Sequence, residues 1–382
     1  MVADVPAGRR SVKIGFNYDY RMGCATCGRV STVTAHRYQE RLGIDALSPC
    51  EHCGTDIHYG PAAAALRDDN DPVLSDVVTA QGSWFHSSTY ADWPSPDYEW
   101  NTCAGLDDEI VLGDVSPERI RHRLLTRALH LGNYETAVEN MLRRLRDQGD
   151  ANSTFYLHRV TLRVTPDTIE DGFRDENHAP ASDLSIDELE QAGLLAVRYL
   201  NVHEAMGSLS LAIDPAALAT VATIELPVHE LAVEPPPQLV SRLAELDGEI
   251  TAADETLPDT SHIDPIELRM RELFMEPGDE LAAAISTATR RSRAAWDEAQ
   301  LLLEQTYLGA SVNPVVRADF ISAMTSADND SIQALHNRVR AYAALFTHPE
   351  GVVNAFNQQP VRNAEESPLV QQRRHQRSLH RG

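Results

Sequence analysis

Two Cys-x-x-Cys-Gly segments carry the clearest chemistry in the sequence. The first contains Cys24 and Cys27, the second contains Cys50 and Cys53, and twenty-two residues separate the two pairs. Four thiolates suit the tetrahedral coordination of Zn²⁺, and a two-residue gap lets one tight turn present both sulfurs to one ion. The glycine after each second cysteine allows the backbone to turn so that amide groups can point at the sulfurs. We therefore expect a zinc ribbon with these four cysteines as its ligands.

Three histidines, His36, His52 and His58, lie close to the cysteines in sequence. A histidine can replace a cysteine as a zinc ligand, but four cysteines already complete a tetrahedral sphere. Since a closed sphere leaves no position for a substrate, we expect the zinc to be structural. It would stabilise a segment that is too small to form a hydrophobic core alone.

The composition indicates a globular protein. The chain has 382 residues, of which 42% are hydrophobic and 24% are charged, and this length predicts two or three domains. A formal net charge of −24 argues against nonspecific nucleic-acid binding as a property of the whole chain.

The sequence also predicts a cytoplasmic location. No apolar run approaches the roughly 20 residues that a membrane-spanning helix needs, and the N-terminus lacks the apolar segment of a secretory signal. Four of the five cysteines have metal-binding spacing, which favours a reducing compartment. We expect the fifth, Cys103, to be a free thiol.

The elements around these motifs predict an α+β protein with a helical C-terminal part. Alternating residues over 12–20 predict a strand that leads into the first cysteine pair, and Ser116 begins a predicted helix. A proline run at 235–237 is a stiff hinge, after which the apolar residues recur with a helical period. The predicted organisation is a zinc ribbon over 10–60, a linker over 61–80, an α+β domain over 81–232, a helical domain over 238–358 and a disordered basic tail over 359–382. The helices predicted after the hinge cover 238–247, 264–274, 279–307, 313–325 and 329–346.

Three fragments of the α+β domain combine histidines, a glutamate and small residues. They read Trp84-Phe85-His86-Ser87-Ser88, Ala128-Leu129-His130-Leu131-Gly132-Asn133, and, over 198–210, Arg-Tyr-Leu-Asn-Val-His-Glu-Ala-Met-Gly-Ser-Leu-Ser. In order and spacing they resemble the ADP-ribosyltransferase-like fold of bacterial and phage proteins. In that family a first strand ends in His-Gly-Thr, a second reads His-Phe-Gly-Thr before a helix, and Asn-x-x-Glu-x-x-Gly-Ser-x-Ser follows later.

The resemblance implies a site that uses NAD. His86, Ser87 and Ser88 would hold the dinucleotide, and His130 would stand where another branch of the family stacks an aromatic residue near nicotinamide. Glu204 would stabilise the ribosyl cation and orient the acceptor. The aromatic residues after His86 would line the cleft or form a lid: Tyr90, Trp93, Tyr98 and Trp100. The implied activity is ADP-ribosyl transfer or NAD glycohydrolysis, with the ribbon recognising the target.

The sequence departs from the family pattern, and His130 is not the tyrosine of the best-known branch. Ser87 replaces the glycine of His-Gly-Thr, and Asn133 replaces the threonine of the second motif. Such changes fit a divergent enzyme and also an inactive descendant. The alternative is therefore a non-catalytic adaptor whose ribbon and helices contact other proteins. A third reading is nucleic-acid binding through the locally basic ribbon and the arginine-rich tail.

Overall fold

The computed structural model describes residues 14–42, 44–94, 126–176, 181–261, 263–274, 279–327 and 331–380. Cys103 and the helix predicted from Ser116 lie outside these ranges. The helices are α1 (Ala35–Leu42), α2 (Asp76–Gln81), α3 (Tyr134–Asp147), α4 (Ile186–Gln191), α5 (Pro237–Glu255), α6 (Pro265–Leu273), α7 (Glu280–Tyr307), α8 (Pro314–Thr325), α9 (Ile332–Thr347), α10 (Pro349–Ala355) and α11 (Pro368–His380). The strands are β1 (Tyr20–Gly23), β2 (Val30–Val33), β3 (Leu47–Pro49), β4 (Asp56–His58), β5 (Trp84–Ser88), β6 (Leu129–Leu131), β7 (Phe155–Leu162), β8 (Arg174–Asp175), β9 (Ala196–Leu200), β10 (Leu209–Ile213), β11 (Leu218–Leu226) and β12 (Val361–Asn363). The predicted mixed α+β class is confirmed.

The ribbon, residues 20–59, consists of two antiparallel hairpins, β1–β2 and β3–β4, with α1 between them. Three buried tyrosine rings form its core. The ring centroid of Tyr38 lies 4.1 Å from that of Tyr20 and 5.4 Å from that of Tyr59. Such stacked rings give a small module a compact apolar centre.

The strand predicted over 12–20 was wrong for most of its length, because β1 begins only at Tyr20. The preceding residues leave the ribbon and enter the main core. Phe16 is fully buried, its ring centroid lies 4.6 Å from that of Phe346, and its carbonyl accepts a hydrogen bond from the amide of Asn313. The apolar residues of this segment therefore reflect packing between helices rather than strand pairing.

Two four-stranded sheets form the α+β part. Their strand orders are β12-β11-β7-β5 and β6-β10-β9-β8, and the pairs are antiparallel except β8 with β9. The sheets meet where Phe85 and Gly132 exchange backbone hydrogen bonds of 2.8 and 3.0 Å. A Cβ on Gly132 would lie 2.5 Å from the side chain of Thr136 at the start of α3, so the packing of this helix against β6 requires glycine. The contact between Phe85 and Gly132 brings β5 and β6 together, and with them the first two fragments of the resemblance.

The segment predicted as a linker, 61–80, packs onto the sheet. The Arg198 side chain, 1% exposed, donates to the carbonyls of Val73 and Leu74 at 3.0 and 2.7 Å. It also pairs with Asp76 at the start of α2. A buried guanidinium is costly without hydrogen-bond acceptors, so these bonds hold the segment against the sheet.

One hydrophobic core joins the parts that the sequence analysis separated. It contains Phe16, Phe155 of β7, Leu243 of α5 and Phe320 of α8, among others. The helical region therefore shares its core with the sheet and α3.

The long C-terminal helices begin close to the predicted positions because their caps are local. The side chains of Asp279, Asn313 and Ser331 accept hydrogen bonds from backbone amides in the first turns of α7, α8 and α9. Helix α5 continues to Glu255, beyond the predicted end at 247, because packing continues past Gly248 and buries Ala253.

The disordered tail predicted over 359–382 was wrong for residues 361–380. Strand β12 pairs with β11, and α11 follows. Nε of Arg377 donates to the fully buried carboxylate of Asp214 at 2.7 Å. The basic residues that suggested disorder thus include one that neutralises a buried acid.

Across the described part of the chain, no helix combines the length and apolar character needed to cross a membrane.

Candidate metal centre and candidate active site

The four cysteines of the ribbon form a group that can hold a metal ion. Their sulfur atoms all lie within 4.8 Å of one another. The sulfurs of Cys24 and Cys53 are 3.7 Å apart, as are those of Cys27 and Cys50. Tetrahedral coordination at a Zn–S distance of about 2.3 Å separates sulfurs by about 3.8 Å, so the arrangement fits such an ion.

Both cysteine turns have the same backbone geometry. The amide of Gly28 donates to the carbonyl of Cys24 at 2.8 Å, and that of Gly54 donates to Cys50 at 2.9 Å. The two glycines have φ values of 69° and 75°, a region that L side chains rarely adopt. The amide of His52 donates to the Cys50 sulfur at 3.4 Å and lowers the pKa of this thiol to about 6. This favours the thiolate, which is the metal-binding form.

Within the described residues, the group that could hold a metal ion contains the four cysteines. His52 Nε2 lies 3.1 Å from the carbonyl of Val30, and His36 faces Glu40 on α1.

His86 lies on β5 with one ring nitrogen engaged. Its Nδ1 is 3.0 Å from the carbonyl oxygen of His130, and its ring stacks on Trp93 at 4.2 Å. A carbonyl accepts only, so Nδ1 carries the proton and Nε2 is an acceptor. Nε2 is buried and has no hydrogen-bond partner among the described residues. Burial lowers the pKa of His86 to about 3, so the ring is neutral near pH 7.

His130 lies on β6 beside Tyr199 of β9. Its Nδ1 is 3.0 Å from the Tyr199 hydroxyl. Burial lowers the pKa of His130 to about 4 and raises that of Tyr199 well above its ordinary value, so both groups are neutral near pH 7. Sequence reasoning missed Tyr199, although its position in the third fragment was an available clue.

Residues 201–208, the Glu204 loop, connect β9 to β10. The side-chain oxygen of Asn201 accepts hydrogen bonds from the amides of His203 and Glu204 at 3.0 and 2.8 Å. Its amide nitrogen donates to Ser210 at 3.1 Å, and the carbonyl of Asn201 accepts from the amide of Gly207. The Asn, Glu, Gly and Ser positions of the third fragment therefore form one closed turn.

Residue Glu204 is 8% exposed, and its carboxylate points at helix α3. Its Oε1 accepts from Nε of Arg143 at 2.7 Å and from Nδ2 of Asn140 at 3.1 Å. The oxygen of the Asn140 side chain accepts in turn from the Ser87 hydroxyl at 3.2 Å. A continuous chain, Ser87–Asn140–Glu204, thus connects β5 to the Glu204 loop.

Sequence reasoning missed Asn140 and Arg143. Both lie on α3, directly after the second fragment, and their three-residue spacing places them on one face. That spacing was an available clue, but nothing local connects it to a glutamate more than sixty residues later.

Ser88 and Tyr90 do not join this chain. Neighbouring residues of a strand face opposite sides, and the Ser88 hydroxyl donates to the Tyr90 carbonyl at 3.0 Å. It also accepts from the Tyr90 amide and lies 3.0 Å from Nε2 of the fully buried His158. Ser88 therefore closes the turn after β5.

The aromatic residues predicted to line a cleft have different positions. Trp93 is fully buried against His86 and His158, so it packs in the core at the back of the site. Tyr90 is half-buried, and Tyr98 and Trp100 lie outside the described residues.

The structure thus brings His86 against the backbone of His130, and it connects Ser87 to Glu204 through Asn140. Comparisons of the chain with known protein families, with characterised proteins and with solved structures each found no match.

Proposed function

We propose that this protein uses NAD as a substrate and transfers its ADP-ribosyl group to an acceptor or to water. The single observation that carries this proposal is the meeting of three fragments that are far apart in the chain. His86 contacts the carbonyl of His130, and Ser87 reaches Glu204 through Asn140. An ADP-ribosyltransferase-like domain over 81–232 accounts for these contacts together.

In the proposed reaction, the bond between the nicotinamide nitrogen and the ribose C1′ breaks. Its electron pair goes to the nicotinamide nitrogen and neutralises the pyridinium, and positive charge develops at C1′. A carboxylate offsets that charge, which is the role we assign to Glu204. The acceptor then donates an electron pair to C1′, and its single proton passes to the Glu204 carboxylate, which releases it to water.

The neutral state of both histidines suits this substrate. The nicotinamide ring of NAD is a cation, which a protonated imidazole beside it would repel. Burial lowers the pKa values of His86 and His130 to about 3 and about 4, so neither carries charge near pH 7. The free acceptor on His86 Nε2 is suited to a ribose hydroxyl.

Arg143 has two roles in this proposal. Its ion pair fixes the Glu204 carboxylate, and its side chain is 39% exposed. Guanidinium groups bind phosphates with several N–H donors, so the exposed part is suited to the substrate diphosphate.

We further propose that the ribbon binds Zn²⁺ and that this zinc is structural. Four thiolates at tetrahedral spacing suit this ion and leave no position open for a substrate.

The test is incubation with NAD labelled in its ADP-ribose part, with and without cell extract, while released nicotinamide is measured. We expect release by the wild-type protein, a loss of at least about a hundredfold in Glu204→Gln, and no change in Glu245→Gln, which alters an exposed carboxylate of α5. A folded, metal-loaded protein that releases no nicotinamide and transfers no label would contradict the proposal.

The second candidate, a protein-binding adaptor, is favoured by exposed apolar residues of α6 and its C-terminal end. Ile266, Met270 and Phe274 are 74%, 49% and 67% exposed and follow a four-residue spacing. If the chain is an adaptor, Ile266→Asp should release a stoichiometric partner in a pull-down while NAD leaves the melting temperature unchanged.

A further inference from the structure

We propose that the metal-bound ribbon holds the Glu204 loop in its working conformation, so that metal occupancy controls the position of Glu204. The ribbon packs directly against this loop. The catalytic consequence rests on the proposed function, whereas the mechanical coupling does not depend on NAD.

Backbone and side-chain hydrogen bonds connect the ribbon to residues 63–67. The amide of Ala65 donates to the carbonyl of Arg21 at 2.9 Å, and Met22 and Ala64 form an antiparallel bridge. The Arg21 guanidinium donates to the carbonyl of Leu66 at 2.9 Å. The segment therefore continues the sheet of the first hairpin, whose end carries Cys24.

Arg67 connects that segment to the Glu204 loop. The Arg67 amide donates to the carbonyl of Gly207 at 2.8 Å, and its guanidinium donates to the carbonyl of Ala205 at 2.6 Å. A Cβ on Gly207 would lie 2.8 Å from the carbonyl oxygen of Ala65. Segment and loop therefore touch backbone to backbone.

The ribbon core also packs directly against the loop. Met206 packs against the tyrosine core of the ribbon, and its sulfur lies 4.0 Å from the Tyr38 hydroxyl. On the other side, the Ala205 amide donates to Glu139 at 2.6 Å, and Glu139 also accepts from the Tyr18 hydroxyl at 2.6 Å. The residues that follow Glu204 are therefore held between the ribbon, residues 63–67 and α3.

The loop needs this support. Ala205 has a φ of 44°, and such a conformation costs a non-glycine residue free energy that surrounding contacts must supply. The ribbon strands have only three or four residues each, and hairpins of this size are not stable alone in water. Loss of the ion should therefore loosen the hairpins, then Arg67 and Met206, and finally Glu204.

Hydrogen exchange measured by mass spectrometry without NAD tests the coupling in the full-length protein. After removal of the metal with a chelator, we expect amides of the Glu204 loop to exchange about tenfold faster or more, while those of β11 keep their rate. Faster exchange in ribbon peptides with an unchanged loop would overturn the proposal.

A variant keeps the test decisive if the metal-free protein unfolds as a whole. In metal-loaded Arg67→Met we expect the same acceleration in the loop with an unchanged metal content. The control is Arg338→Met, which removes the hydrogen bond from Arg338 to the carbonyl of Ala151. It should leave exchange in the Glu204 loop unchanged. Equal loop exchange in Arg67→Met and wild type would refute the coupling.

Hydrogen exchange is measured without NAD, so it tests the coupling alone. Nicotinamide release tests the proposed reaction, and either proposal can fail while the other holds. If both proposals hold, Arg67→Met should lower kcat for nicotinamide release more than it changes KM, since it displaces Glu204 and no residue assigned to NAD binding.

Discussion

Asn201 organises the Glu204 loop, and replacing it gives a sharp prediction for both stability and activity. The residue is 2% exposed. Its side-chain oxygen accepts from the amides of His203 and Glu204, and its side-chain nitrogen donates to Ser210. Asn201→Ala removes all three hydrogen bonds and leaves their partners in place.

The expected cost follows from the surroundings of each partner. The amide of Glu204 is buried and would lose its acceptor, at a cost of about 1–3 kcal/mol. The amide of His203 is partly exposed, so water replaces much of its lost bond. The bond to Ser210 adds about 0.5–1.5 kcal/mol. We therefore expect the free energy of unfolding to fall by about 2–4 kcal/mol.

Chemical denaturation and nicotinamide release measure the two effects. Asn201→Ala should also lose most activity, because the backbone of Glu204 is released. Asn201→Asp keeps an acceptor for both amides and should retain most of the stability. A free energy of unfolding for Asn201→Ala within about 0.5 kcal/mol of the wild-type value would refute this account of the loop.

Further predictions concern the metal, the C-terminal helix and pH. Elemental analysis of the purified protein should find one zinc per chain, and Cys50→Ser should lower that content; full zinc content in the variant would contradict the ligand assignment. Arg377→Met leaves the Asp214 carboxylate buried without its cation, so denaturation should show a loss of about 3–5 kcal/mol, whereas no loss would show that α11 is not anchored there. His86 and His130 have pKa values of about 3 and about 4 in the folded protein, below the ordinary value of 6.5. Between about pH 4 and 6.5 these two histidines therefore bind more protons in the unfolded chain than in the folded protein. The free energy of unfolding that they contribute should increase with pH across that window and be complete above it. Replacing both histidines with glutamine should flatten this dependence relative to the wild-type protein.

The cysteine group was predictable from the sequence because the geometry of each of its turns is local. Each Cys-x-x-Cys-Gly turn positions two sulfurs through bonds between residues a few positions apart, such as Gly28 to Cys24. The starts of α7 to α9 were predictable for the same reason, since Asp279 and Asn313 cap helices within their own first turn.

The surroundings of Glu204 were not predictable, because its partners come from distant parts of the chain. The sequence around Arg143 indicates no carboxylate partner, and only the packing of α3 against the loop brings its guanidinium to Glu204. The role of Arg67 depends in the same way on how the ribbon docks.

The C-terminal helix illustrates the limit of composition. A polar, basic segment predicts disorder when no partner is known. Here the buried Asp214, 163 residues earlier, accepts from Arg377 and anchors the helix.

Binding of NAD tests the central claim most directly, because both transfer and hydrolysis require it and no acceptor needs to be known. The measurement is the melting temperature of the metal-loaded protein at increasing NAD concentration. A ligand that binds only the folded state adds about 2.7 kcal/mol at a hundred times its Kd, so we expect a saturable increase. Glu204→Gln should show a similar increase, since the carboxylate acts on the reaction and the histidines remain. A melting temperature that stays constant up to millimolar NAD would contradict the proposed site.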